Sequence, residues 1–202
     1  MLYNIYVIIM AWINHFNTIL NNYLQSAGLW GGFICCLLII IEPILPFLPM
    51  FIFVTINLLI FGYVLGFVIS YICSVLGCLL FYLVFNKLLS KKAYKFYKDR
   101  RKLNSLVKKY KDIKIETLTT IISMPFTPAF MINLLAAVSD MPLKKYMTAE
   151  IIAKIFITIF WGFFGFSLIK CLQHPIYLVV VGLMLLGGFV LSKLISKKYN
   201  LE

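Results

Sequence analysis

Residues 29–59 are apolar almost throughout, broken by Glu42 and by Pro43, Pro46 and Pro49. Each proline removes a backbone donor and disfavours a helical residue before it, so one straight helix is not expected. Non-helical backbone at membrane depth is tolerated where protein buries it or where it lines a wet cavity. The pattern therefore predicts a re-entrant helical hairpin, residues 29–41 going in and 51–59 coming back, with Glu42 at its apex. Residues 62–86 carry no charge and set Gly62, Gly66, Ser70, Ser74 and Gly77 at helical spacings, which predicts a spanning helix with a small-residue packing face.

A second broken hairpin is predicted where a short apolar rise after Glu116 meets Pro125 and Pro128 and returns to Asp140, Lys144 and Lys145. Pro49 is followed eight residues later by Asn57, Leu58 and Leu59, and Pro125 eight residues later by Asn133, Leu134 and Leu135. Residues 151–169 then span outward and 176–191 return, with His174 in the outer turn. Near the start, residues 3–24 mix apolar side chains with Asn4, Asn14, His15, Asn17, Asn21 and Asn22, which suits an interfacial or weakly spanning helix. With neither a basic leading region nor a small-residue cleavage site, this segment does not read as a cleaved signal peptide.

Composition agrees with this pattern. Of 202 residues, 62% are hydrophobic and 13% charged, which places the chain among integral membrane proteins rather than soluble domains. Charge is concentrated in one place. Residues 1–86 hold only Glu42, whereas residues 87–116 hold 12 basic and 3 acidic side chains. A short loop so basic is expected in the cytoplasm, with the C-terminal basic tail on the same side and the plasma membrane as the location. The first hairpin then enters from outside and the second from inside.

The expected parts are an N-terminal segment (1–26), the first hairpin and span (27–86), a basic linker (87–116), the second hairpin and span (117–172) and a final span with a basic tail (173–202). Phe96, Leu103, Leu106, Val107, Tyr110 and Ile113 share one face of the linker, predicting an amphipathic surface helix. It serves either as a topology signal attracted to anionic lipid or as a docking face for another protein.

Glu42 is the first candidate for chemistry. A carboxylate at bilayer depth costs about 2.5–3.5 kcal/mol on insertion scales, so an intramembrane acid is a functional candidate. It reads either as a proton carrier or as a neutral acid capping the proline break. Pro46, Pro49, Pro125 and Pro128 open the backbone, and two discontinuous segments of opposite orientation fit alternating access. Asn57 and Asn133 either satisfy the broken backbone or touch a ligand. Lys144, Lys145 and Lys154 either bind a phosphate at the inner mouth or snorkel to the headgroups. Cys35, Cys36, Cys73, Cys78 and Cys171 lie in apolar stretches without metal-ligand spacing, so neither a disulfide nor a metal nor another cofactor is expected. Hydrolytic, redox and phosphate-loop motifs are missing, and with them any reason to expect an enzyme or a nucleic-acid partner.

Residues 28–165 resemble the DedA and SNARE-associated Golgi protein superfamily, also called the VTT domain. The likeness rests on EPILPFLP, on the glycine-spaced helix after it, and on MPFTPAFMINLLAAVSDMPLKKY leading to KIFITIFWGFFG. It implies an all-α lipid translocase built from two oppositely oriented re-entrant hairpins. Bacterial members are associated with returning the polyprenyl-phosphate carrier and eukaryotic relatives with scrambling phospholipids. It further implies that Glu42 is the motor-like acid, that Pro46 with Pro49 and Pro125 with Pro128 are the two breaks, and that Asn133 is the family's Asn. Where many members carry an Arg this chain has Ile122, where glycines are expected it has Met50 and Ala137, and where a second acid follows the first motif it has Phe51 among apolar neighbours. Phosphate recognition would then fall to Lys144, Lys145 or Lys154. The leading expectation is movement of an anionic lipid between leaflets, with protons as a further partner. The alternatives are a non-transporting membrane scaffold and a proton-coupled carrier of a small solute.

Overall fold

The computed structural model describes residues 28–45, 48–97, 101–127, 129–171 and 176–199. The segment 3–24 with His15, Pro46, Pro128 and the turn holding His174 lie outside them. The described residues are helical without a strand: α1 (Gly28–Ile41), α2 (Met50–Phe61), α3 (Tyr63–Tyr97), α4 (Arg101–Lys111), α5 (Ile115–Ile122), α6 (Ala129–Val138), α7 (Leu143–Cys171) and α8 (Ile176–Tyr199).

Prolines set the breaks where the sequence places them. α1 stops just before Glu42 and Pro43, and Pro49 (φ −77°) is the N-cap of α2, a φ that its ring already favours. α5 ends three residues before Pro125, and the Tyr146 N–H donates to the Pro142 carbonyl at 3.1 Å in the first turn of α7. Helices α1 and α2 fold back on each other, since Asn57 reaches Cys36 and Ile39 packs with Met50 and Val54. At about 1.5 Å per residue, α1, α2, α5 and α6 are each too short to cross a hydrocarbon core of about 30 Å. The long apolar stretches of α3 and α7 are sufficient, and fewer than half of their residues are buried within the protein.

The bundle is apolar outside and keeps polar side chains within its core. Leu65, Leu76 and Leu80 on α3, Phe156 and Phe163 on α7, and Leu183, Leu186 and Phe189 on α8 are exposed, whereas Ser70, Ser74, Asn57, Asn133, Glu150, Lys154 and Thr158 are buried. That arrangement is stable only if hydrocarbon rather than water surrounds it.

α2 packs on α3 and α7, α6 on α3, α5 on α7, and α8 on α7. Close approach depends on missing side chains. A Cβ at Gly77 would lie 2.6 Å from the Ile40 carbonyl oxygen, and one at Gly66 would lie 2.7 Å from the Leu58 Cα, so these two glycines let α3 meet the backbones of α1 and α2. The larger core cluster joins Cys78 and Tyr82 of α3, Leu118, Ile121 and Ile122 of α5, Ile132, Ala136 and Ala137 of α6, and Tyr146, Ala149 and Ala153 of α7.

The short sequence match around the two asparagines extends into the structure. A shift of 76 positions (57 to 133) carries Pro49 to Pro125, Asn57 to Asn133 and Ser70 to Tyr146. Asn57 donates to Ser70 at 3.0 Å, and Tyr146 donates to Asn133 at 2.9 Å, each bond joining residues 13 apart. The same shift carries Ser74 and Cys78 of α3 onto Glu150 and Lys154 of α7.

The basic linker differs from the single amphipathic helix expected. α3 continues past Asn86 to Tyr97, because no proline interrupts it and lysine is a good helix former, and α4 is a separate short helix. Val107 is buried, and Tyr110 and Ile113 pack against the larger core cluster. Part of the predicted apolar face therefore covers protein rather than membrane surface. Burial, with the Glu150 charge behind it, pushes the Tyr110 hydroxyl well above the usual tyrosine range.

Candidate functional site

Glu42 directly follows α1, its N–H still donating to the Leu38 carbonyl at 2.9 Å. Its side chain is half-buried, and Oε2 is buried without a hydrogen-bond partner among the described residues. It opens on a cavity of about 440 Å³ between the two breaks. Pro49, Met50 and Phe51 line one wall, Pro125, Thr127, Ala129 and Phe130 the other, and Ile157, Trp161 and Phe164 of α7 with Leu185 of α8 close it. Phe51, Trp161 and Phe164 touch pairwise, with ring centroids 5.4 to 6.1 Å apart.

The first residues of α2 and α6 thus face one space. The leading N–H groups of a helix carry partial positive charge and have no partner within the helix. α2 has no side-chain cap at this end. Two such ends on one cavity favour an anion there.

Lys154 completes the site and departs from expectation. Its distance from the basic loop suggests a lysine snorkelling to the headgroups, but the structure leaves it only 3% exposed, on the cavity wall and near enough to Glu42 and Glu150 for their charges to interact. The reason is rotational. Position 154 faces α3 and the first break rather than lipid. Lys144 is exposed, and Lys145 donates to the Lys111 carbonyl at 2.7 Å, closing the end of α4. Of the three candidate lysines, Lys154 alone comes to Glu42.

The two asparagines are fully buried, and neither lines the cavity. Asn57 ties α2 to Ser70 and contacts Cys36 at 3.7 Å; Asn133 contacts Cys78 at 3.8 Å and accepts from Tyr146. They fix each hairpin's returning helix to the interior. Pro49 and Pro125 lie on the cavity wall. Sequence reasoning passes over Glu150, which is 1% exposed with Oε2 unpartnered among the described residues. Its signal was present, an acid four residues before a lysine inside an apolar helix.

The chain matches the VTT domain family over residues 45–167, more than half its length. It is 26% identical over 173 residues to a protein described as uncharacterized membrane protein YhjE from Bacillus subtilis (strain 168), covering 86% of this chain and 84% of that one. No solved structure matches it. With the matched region holding Pro49, Pro125 and most of the residues that line the cavity, the chain belongs to the VTT-domain, or DedA, superfamily of membrane proteins.

Proposed function

We propose that this protein moves an anionic lipid, such as a polyprenyl phosphate or an acidic phospholipid, between the leaflets of the cell membrane, with Glu42 gaining and losing a proton as the site changes sides. One observation carries the reading: a single cavity, lined from both broken segments, holds an acid, a buried lysine and two helix N-termini. Its volume suits a headgroup rather than a whole lipid, leaving acyl chains in the bilayer. The two hairpins are read as re-entrant from opposite faces, which permits the cavity to open to each leaflet in turn. In this reading the basic linker and C-terminus face the cytoplasm, and the protein transports without catalysing a reaction.

The test is leaflet-resolved movement of labelled lipids in reconstituted vesicles. Phosphatidylglycerol and polyprenyl phosphate should cross faster than in protein-free vesicles while a neutral diacylglycerol gains little. Lys154→Met should slow the anionic lipids selectively. Equal movement of neutral and anionic lipids would defeat the reading.

A further inference from the structure

Lys154 lies between two acids in different surroundings. Glu42 lines the cavity, whereas Glu150 does not and sits one helical turn behind Lys154 on α7. An anion in the cavity can meet the Lys154 ammonium but is walled off from Glu150. The groups that act on Glu150 are Lys154 and Tyr146 of α7, Cys78 of α3, Tyr110 of α4 and Glu42 beyond α1. Lys154 is the one cation among them. The pseudo-symmetric positions on α3 are the neutral Ser74 and Cys78, so the first half of the molecule supplies no second cation.

From this geometry we infer that Glu150 competes with the transported headgroup for Lys154, so that binding an anion in the cavity obliges Glu150 to take up a proton. The inference rests on the lipid reading above. In the empty site the charge of Lys154 acts on Glu150, both side chains being buried one turn apart on α7. When it turns to a headgroup phosphate, Glu150 keeps only a thiol, two phenols and another acid around it, and one of its oxygens is already unpartnered among the described residues. An ionised carboxylate so enclosed is strongly disfavoured, and a proton neutralises it. One negative charge and one proton enter together, so the interior charge is unchanged.

The experiment measures binding of lysophosphatidylglycerol, whose phosphodiester does not titrate near neutrality, to the purified full chain in neutral detergent. Calorimetry in buffers of different ionisation enthalpy gives the protons taken up. The wild type should take up close to one proton above neutral pH, its affinity falling toward about tenfold per pH unit, and a protonated carboxylic-acid band should appear in the infrared difference spectrum. Glu150→Gln should bind more tightly at alkaline pH with the uptake, the slope and the band gone. Wild-type binding without proton uptake or the carboxyl band overturns the inference, whatever the variants do. An unchanged proton count in folded Glu150→Gln does so as well. If the wild type binds lysophosphatidylglycerol no better than zwitterionic lysophosphatidylcholine, the lipid reading falls and this inference with it.

Discussion

Glu42 sits where the first helix is broken, faces the cavity and leaves a buried oxygen unpartnered among the described residues. If its role is proton exchange, Glu42→Gln should preserve folding, since the amide keeps the size of the neutral acid, and should abolish the pH dependence of translocation. Glu42→Asp should retain partial activity with a displaced profile. Rates measured over about pH 5.5 to 8 decide between this and a capping role, for which Gln would serve equally well. Asn133 supports the structure rather than the cavity wall. Tyr146→Phe should remove the donor to its buried oxygen and cost about 1–3 kcal/mol, read as lowered thermal stability in detergent. Binding of lysophosphatidylglycerol should change much less.

Between helices, the glycines of α3 mark where backbones meet. Gly77→Ala brings a methyl against the Ile40 carbonyl, and the backbone cannot rotate away as a side chain would. Although alanine favours the helix by about 1 kcal/mol, the clash should outweigh it and lower stability by about 1–3 kcal/mol. Gly182 of α8 provides the comparison, because an added Cβ there meets nothing within 4 Å. Gly182→Ala should be neutral or slightly stabilising. Equal melting temperatures for the two variants would show that α1 does not pack on α3 as described. The two short asparagine bonds, each spanning 13 residues, indicate that α2 with α3 and α6 with α7 are related units. The lock is the same in outline and differs in chemistry, a serine hydroxyl in one and a tyrosine in the other.

For the molecule as a whole, orientation follows from charge. The 12 basic residues of positions 87–116 should hold that segment on the cytoplasmic side. In a background without native cysteines, single cysteines at Lys102 and Lys197 should react only with permeant reagents in intact cells, and one at Gln173 should react with impermeant ones. Labelling of position 102 from outside would overturn the opposed arrangement of the hairpins. Burial of Val107 ties the later part of this basic segment to the bundle. Replacing exposed linker lysines with Gln should therefore weaken attraction to anionic vesicles, by about 1 kcal/mol for each charge near the surface, without unfolding the protein.

The sequence by itself determined the membrane class, the bounds of the first hairpin and the place of Glu42 at its turn, because proline constrains its own backbone and the residue before it whatever surrounds them. It also determined the charge asymmetry from which an orientation is expected. Only the tertiary structure decided that Lys154 turns inward, that Glu150 lies behind it, that α3 runs on to Tyr97, and that Asn57 and Asn133 brace the hairpins instead of lining the cavity. In water, an apolar stripe shows which face of a helix is buried. In α7, apolar residues occur all round because one side meets lipid and the other meets protein, both low in polarity. Depth can then be counted along the chain, but the facing of each side chain is set only when the neighbouring helices pack.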